Sequence, residues 1–299
     1  MASCGGVTTC VVTDDGGLYT FGRGGDGRLG LGDTSGRWEP TPVKFEKGDG
    51  GGDAREVRER GRVRCLMVSA GAHHTAVVSE DGGLWCFGRG THGQLGVGDS
   101  ISRSSPVRVD IPGRVKYVAC GQRHTLAVVH VCEGGEMQET GSRVDGHASG
   151  GEVGGLRDGV EVWGIGQWRG GGARAGGRAR GGGRGEGTSY EPVLLECFRG
   201  WHVTLVSCGT AHSVAVCGSG DMFTWGAGEH GQLGHGDFHE VDLPRPLSQR
   251  CFHGRAKMVM AACFKHTQTH TQTHKHARAR KHTLHTHTHT HTHTQVIAA

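Results

Sequence analysis

The stretch Gly71-Ala72-His73-His74-Thr75, Asp81-Gly82-Gly83-Leu84-Trp85-Cys86-Phe87-Gly88, Gly93-Gln94-Leu95-Gly96-Val97-Gly98-Asp99 returns further along the chain. The second copy reads Gly209-Thr210-Ala211-His212-Ser213, Asp221-Met222-Phe223-Thr224-Trp225-Gly226, Gly231-Gln232-Leu233-Gly234-His235-Gly236-Asp237. An internal repeat constrains architecture before any single residue does, because each unit must bury its apolar face against a neighbour. Two looser copies flank and separate these. The first holds Cys4-Gly5, Val11-Val12-Thr13-Asp14-Asp15-Gly16-Gly17-Leu18-Tyr19-Thr20-Phe21-Gly22 and Gly27-Arg28-Leu29-Gly30-Leu31-Gly32-Asp33. The third opens as Cys120-Gly121-Gln122-Arg123-His124-Thr125 and resumes after an interruption as Val160-Glu161-Val162-Trp163-Gly164. A fifth begins near Val259 with Ala262-Cys263-Phe264-Lys265-His266-Thr267 but lacks the opening glycine.

Within a unit the apolar runs are short, as in Thr75–Val78 and Leu84–Phe87, and each is bounded by a Gly/Asp turn. That is strand length, with β-branched and aromatic enrichment. Asp81-Gly82-Gly83 and Asp15-Gly16-Gly17 separate two such runs and read as hairpin turns, since glycine reaches positive φ at little cost. Nearly continuous apolar runs imply burial on both faces, as in a small sheet stacked between two others. Helical periodicity is absent. The expected fold is all-β, a β-propeller of units about 40–50 residues long. The opening glycines Gly5, Gly71, Gly121 and Gly209 stand 66, 50 and 88 residues apart. The excess over the shortest spacing falls in Gly-rich polar stretches at 46–61, 130–159 and 169–187, which are expected to be flexible loop insertions.

These residues resemble the repeats of the regulator of chromosome condensation family. Its pattern is roughly Cys-Gly-x-x-His-Thr, an apolar strand, Asp-Gly, an aromatic strand ending in Gly, then Gly-Gln-Leu-Gly-x-Gly-Asp and a Pro-x-x-Val region. Pro42-Val43, Pro106-Val107 and Pro192-Val193 supply the closing element, with Pro244 and Pro246 in the fourth unit. Unit one has Thr8 in place of the histidine, and unit three lacks the Gly-Gln-Leu-Gly element. The resemblance places an RCC1-like repeat region at 1–267, with units near 3–43, 68–107, 118–193 and 206–246 and a stub at 259–267. It implies a seven-bladed ring, whereas about four units and a stub are present. An incomplete propeller is therefore expected, and three explanations compete: a fragmentary gene model, a closed oligomer or a smaller ring. Met1 aligns with Met67, inside a unit, and residues 268–299 form a low-complexity His/Thr tail ending in five His-Thr pairs, His285 to Thr294. A CA dinucleotide repeat translates to His-Thr alternation, so the tail favours the first explanation.

Charge and cysteine usage exclude several functions. The formal net charge is +4, but five basic side chains and no acid lie in 265–299. Without them 28 basic residues face 29 acidic ones, so the repeated body carries no global nucleic-acid signature. Five arginines in 169–185 form an Arg/Gly segment, through which weak RNA binding is the most that is expected. The eleven cysteines include no Cys-x-x-Cys pair. Cys4, Cys120 and Cys208 sit just before opening glycines and read as buried small apolar residues in a reducing compartment. No apolar run reaches ~18 residues, so the expected location is cytoplasmic or nuclear, without membrane association.

Gly22-x-Gly24-x-x-Gly27, Gly88-x-Gly90-x-x-Gly93 and Gly226-x-Gly228-x-x-Gly231 match a dinucleotide fingerprint. A nucleotide loop should occur once and lead into a helix, so three copies followed by a Leu-Gly element read as blade turns. His74, His124 and His212 share one unit position and are expected to be hydrogen-bonded scaffold residues. No catalytic, cofactor-binding or metal-ligating residue is expected, and no enzyme. The expected role is a non-catalytic scaffold presenting propeller loops to a protein partner. The resemblance also implies alternatives: guanine-nucleotide exchange on a Ran-like small GTPase, or substrate recruitment as a fragment of a ubiquitin ligase. Photoreceptors of this fold carry Gly-Trp-Arg-His-Thr, where this chain has Gly121-Gln122-Arg123-His124-Thr125, which argues against photoreception.

Overall fold

A computed structural model describes residues 1–45, 63–132, 158–169 and 186–247. The insertion at 46–61, the stub at 259–267 and the tail lie outside the described residues, as does nearly all of the other two insertions. Each described repeat folds as one antiparallel four-stranded meander. Blade one holds β1 (Ala2–Cys4), β2 (Thr8–Val12), β3 (Leu18–Gly22) and β4 (Arg37–Pro42). Blade two holds β5 (Cys65–Ala70), β6 (His74–Ser79), β7 (Leu84–Gly88) and β8 (Arg103–Val109). Blade three holds β9 (Arg114–Cys120), β10 (His124–Cys132), β11 (Asp158–Arg169) and β12 (Glu186–Leu194). Blade four holds β13 (Val203–Cys208), β14 (His212–Cys217), β15 (Met222–Gly226) and β16 (Val241–Pro246). The described residues contain no α-helix, only two single 3-10 turns at Gly25–Gly27 and Glu196–Phe198.

The hairpin signals form the turns expected of them. Gly16 and Gly82 adopt φ of 79° and 80°, and the Thr13 and Ser79 hydroxyls hydrogen-bond the following Asp15 and Asp81 carboxylates. The third blade extends beyond the sequence reading. Its β10–β11 ladder runs out to Cys132 opposite Asp158, and β11 pairs with β12 out to Arg169 opposite Glu186. Residues assigned to the edges of two insertions are therefore paired in the sheet. The closing element also shifts. Register pairs Tyr19 with Pro42 and Trp85 with Arg108, so Pro40, not Pro42, is the counterpart of Pro106, Pro192 and Pro244. Proline fits there because each follows a ladder irregularity, where no N–H is required.

Side chains of the middle strands alternate between two interfaces. In β6, Val77 joins Cys10, Val12 and Phe87 between blades one and two, while Ala76 and Val78 join Val118, Ala127 and Val129 between blades two and three. In β10, Ala127 and Val129 face blade two, whereas Leu126 and Val128 pack with Ala215, Phe223 and Trp225 of blade four. The period-2 geometry of a strand sends successive side chains to opposite faces, which explains why β6 is buried throughout. Blade one alternates buried with half-buried along β2, because the described residues cover one of its faces only. Cys4 is exposed for the same reason, against the sequence expectation. Cys120 and Cys208 are buried by the preceding blade, where the Cys208 thiol reaches the Ala119 carbonyl at 3.4 Å.

Candidate protein-interaction rim

One rim of the propeller is built from the turns between first and second strands and from the loops that follow the third strands. Register brings these together, since Thr8 pairs with Gly22, His74 with Gly88, His124 with Gly166 and His212 with Gly226. The opening glycines line the inner side of this rim and touch blade to blade. A Cβ on Gly5 would lie 2.2 Å from the Gly71 carbonyl oxygen, one on Gly71 2.4 Å from that of Gly121, and one on Gly121 2.8 Å from that of Gly209. The Ala72 N–H donates to the Gly121 carbonyl and the Gln122 N–H to that of Thr210, each at 3.2 Å. Nearer the blade interior, the Ser3 hydroxyl accepts from the Ala70 N–H and the Ser69 hydroxyl from the Cys120 N–H, both at 3.0 Å.

Gly71, Gly121 and Gly209 also make room for the histidine three residues later. The hypothetical Cβ of Gly121 would sit 2.3 Å from His124 Cε1, and that of Gly209 2.0 Å from His212 Cε1. His74 Nε2 then meets Thr125 Oγ1 of the next blade at 2.7 Å, and His124 Nε2 meets Ser213 Oγ at 3.0 Å. Thr125 spends its one hydroxyl proton on the Gln94 carbonyl, 2.9 Å away, so it accepts from His74, which fixes a neutral ring protonated at Nε2. Burial pushes the His74 pKa down to about 3, helped by nearby His124, His73 and Arg28, and that of His124 down to about 4, with His212 adding. In blade one Thr8 occupies the histidine position, and its hydroxyl turns back to the Arg23 carbonyl at 3.4 Å. Thr125→Val removes a donor and an acceptor from two buried partners and should cost about 2 kcal/mol in urea unfolding. Thr125→Ser should stay within about 0.5 kcal/mol, and equal losses for the two variants would refute the pairing.

The glycine triplets of the fingerprint shape turns, as expected. They lead from β3, β7 and β15 into loops, and Gly27, Gly93 and Gly231 adopt φ of 71–79°. The first two of these loops reach the next blade. The Gly32 N–H donates to the Ser104 carbonyl on β8, and the Gly98 N–H to that of Tyr190 on β12, both at 2.8 Å. Among the described residues no group of three or more His, Cys, Asp or Glu side chains could hold a metal ion, and no helix is long and apolar enough to cross a membrane.

The rim is chemically distinct where blades one and two meet. Gln94 and Gln232 each turn their amide oxygen back onto the N–H two residues earlier, at 2.9 and 2.8 Å. Blade one has Arg28 at that position. Its buried guanidinium donates to the Gly25 carbonyl at 2.6 Å, the Ala72 carbonyl at 2.8 Å and Asp26 Oδ2 at 2.7 Å, and lies 3.1 Å from His73 Nδ1. Asp26 also accepts from Arg89 of blade two at 3.2 Å on its other oxygen. Asp26 is the one non-glycine residue among those described with positive φ, 64°. Arg89 and Arg28 hold its carboxylate below the usual range despite partial burial. Sequence reading missed this cluster. Its signal was the departure of Gly27-Arg28-Leu29-Gly30 from the Gly-Gln-Leu-Gly of units two and four.

Comparison with known proteins agrees with this architecture. The profile described as "Regulator of chromosome condensation (RCC1) repeat" matches residues 15–78, 81–128 and 219–263, and a second profile of the same description matches 203–232. The Ultraviolet-B receptor UVR8 of Arabidopsis thaliana is 31% identical over 269 residues, covering 81% of this chain and 56% of the receptor. The crystal structure of human WBSCR16 is similar with a TM-score of 0.61 at 22% identity, over 88% of this chain and 55% of that one. Prp20p from Saccharomyces cerevisiae, whose structure was described together with its binding properties to Gsp1p and histones, gives 0.54 at 16% identity, over 88% and 66%. The two structural likenesses concern the fold, and the chain spans about half the length of the curated receptor it matches.

Proposed function

Because this chain belongs to the regulator of chromosome condensation (RCC1) repeat family, we propose that it is a non-catalytic scaffold that presents propeller loops to a protein partner. The observation that carries this reading is where the units differ. Residues that join blades repeat from unit to unit, as in Gly71, Gly121 and Gly209 or Thr75, Thr125 and Ser213. Rim positions that reach the surface do not repeat: Arg23, Arg89, Gln167 and Ala227 occupy one, and Val7, His73, Arg123 and Ala211 another, with Arg23 and Arg123 exposed and the rest half-buried. A surface that varies over a fixed frame suits recognition, not shared chemistry. The proposed location is the cytoplasm or nucleus.

A second reading is guanine-nucleotide exchange, favoured by the described binding of Prp20p to Gsp1p. Exchange would require tighter binding of the nucleotide-free GTPase than of the loaded one. Release of labelled GDP from a Ran-like GTPase separates the two readings, and no acceleration at micromolar protein is expected. The scaffold reading itself is tested by affinity purification with three forms: the unaltered chain, Arg23→Glu/Arg123→Glu on this rim, and Arg64→Glu/Arg108→Glu near the opposite one. Loss of interacting proteins with the first double variant only is expected. The same interacting proteins with all three forms would overturn it.

A further inference from the structure

The junction of blades one and two carries more positive charge than its own contacts neutralise. Arg28 and Arg89 share the single carboxylate of Asp26, and Arg23 Nε and Arg28 Nη2 each lie 3.8 Å from where a Cβ on Gly25 would stand. Three guanidinium groups thus gather at a junction where one carboxylate is bonded by two of them. Arg28 is buried and fully engaged with Gly25, Ala72, Asp26 and His73, so it is part of the frame. The outward groups are different. Arg23 is exposed and its guanidinium has no hydrogen-bond or ion-pair partner among the described residues. Arg89 uses one nitrogen on Asp26, leaving the rest of its fork without a described partner. His73 stands beside them, 3.6 Å from Asp26.

Asp26 adds a second observation. A non-glycine residue in the left-handed region costs energy and persists where the surroundings over-determine it. Here the conformation holds the carboxylate between Arg28 and Arg89, which aligns the Arg89 fork at the rim. The units with a glutamine at the Arg28 position place His92 and His230 where Asp26 stands, so this arrangement belongs to one junction and not to the repeat.

We propose that this junction binds a phosphoryl group carried on a serine or threonine of a protein partner, held by Arg23 and Arg89 with His73 alongside. The proposal deepens the scaffold reading and rests on it. Charge favours the phosphoryl group: a surplus of two positive charges is matched by about −2 on a phosphate ester, while a carboxylate offers half of that. Position favours a peptide over a nucleic-acid backbone. The rim places corresponding to Arg23 and Arg89 hold Gln167 and Ala227 in the next two blades, and the Arg123 beside them donates to the Gln167 amide oxygen at 3.4 Å, so among the described residues the cationic groups form no continuous track of the kind successive phosphates need.

The test uses the full chain and a fluorescein-labelled degenerate peptide library carrying phosphoserine or phosphothreonine at its centre. Matched libraries carry serine/threonine or glutamate instead, and inorganic phosphate and a single-stranded RNA oligonucleotide serve as further probes. Fluorescence anisotropy should show saturable binding of the phosphorylated library alone, weakened about tenfold or more by Arg23→Gln and by Arg89→Gln. Arg108→Gln, near the opposite rim, should leave it unchanged. Asp26→Asn keeps a side chain that tolerates positive φ and removes the competing carboxylate, so it should tighten binding about threefold or more, opposite to what a purely structural role would produce. Equal binding of the glutamate library, tighter binding of RNA, inorganic phosphate binding as tightly as the peptides, or weaker binding in Asp26→Asn would each overturn the proposal. If those results arise while Arg23→Glu/Arg123→Glu still loses its interacting proteins, the scaffold reading stands and the phosphoryl site does not.

Discussion

Acidification from pH 7.5 to pH 5 should remove about 4 kcal/mol of folding stability, a large share of the ~5–15 kcal/mol that holds a typical domain. The cause is the pair His74 and His124. Their pKa values in the folded chain, about 3 and about 4, lie below the ordinary 6.5 because burial penalises the charged ring. In the unfolded chain both rings bind a proton as the pH passes 6.5, whereas in the fold they do not. The unfolded state therefore gains protons first, and stability is present above pH 6.5 and falls steadily below it, levelling only near pH 3. Each ring contributes about 1.4 kcal/mol per pH unit in that window. Asp81 and Asp99, whose carboxylates are held below 3.8 by hydrogen bonds, act only at lower pH and do not blur this range. Urea unfolding at pH 7.5, 6 and 5 checks the slope, and His74→Gln/His124→Gln should flatten most of it. A midpoint that stays constant from pH 7.5 to 5 in the unaltered chain would show that the two rings are not held neutral by the fold.

Gly121→Ala should cost about 4 kcal/mol. The added methyl would stand 2.3 Å from His124 Cε1 and 2.8 Å from the Gly209 carbonyl oxygen. Neither neighbour can yield easily. The ring is buried and anchored to Ser213, and the carbonyl belongs to the backbone of the adjoining blade. Overpacking of this kind costs about 1–3 kcal/mol, and displacing the ring adds the loss of its buried hydrogen bond. Gly6→Ala is the internal comparison, since its methyl would meet only Ala72 Cα at 4.0 Å and its φ is not positive. That variant should change the urea midpoint by less than about 0.5 kcal/mol. Similar losses for both would mean that the blade-to-blade approach does not explain the glycine, since chain entropy alone favours alanine. A further readout is His124 itself, whose NMR titration should move toward 6.5 in Gly121→Ala as the ring leaves its site.

What was legible in the sequence depends on range. Turns and strands follow from neighbouring residues, so Asp81-Gly82-Gly83 marks its hairpin and the short run Thr75–Val78 points to burial on both faces. The pairing of His74 with Thr125 spans 51 residues and that of His124 with Ser213 spans 89, and periodicity carries no information about either. The histidine position was recognisable as scaffold, but its partner was visible only once the blades stood side by side. Pro42-Val43 matches the closing element in letters, while the ladder irregularity that makes Pro40 the counterpart lies in the backbone. Cys4 was misread because a repeat suggests equal surroundings, and a flanking blade lacks one neighbour among the described residues. The Asp26–Arg28–Arg89 cluster teaches the opposite habit: in a repeating chain, function is to be sought where a copy breaks the pattern.

The ladder that carries β10 and β11 out to Cys132 and Asp158 has an evolutionary consequence. In blades one and two this hairpin tip also joins the next blade, since the Cys65 N–H donates to the Gly16 carbonyl and the Val115 N–H to that of Gly82, both at 2.9 Å, whereas the corresponding Val203 N–H of blade four turns to the Trp201 carbonyl at 3.0 Å and does not rely on blade three's tip. Lengthening that tip from a tight turn to the stretch 133–157 costs closure entropy that grows only with the logarithm of length, about 0.6 kcal/mol per doubling, and the added strand pairs offset part of it. The frame thus tolerates new material at this tip, where the neighbouring blade has found another acceptor. Selection can try unrelated sequences there one after another while the welded interior goes on folding the same way, so novelty accumulates at the margins of an otherwise conservative chain.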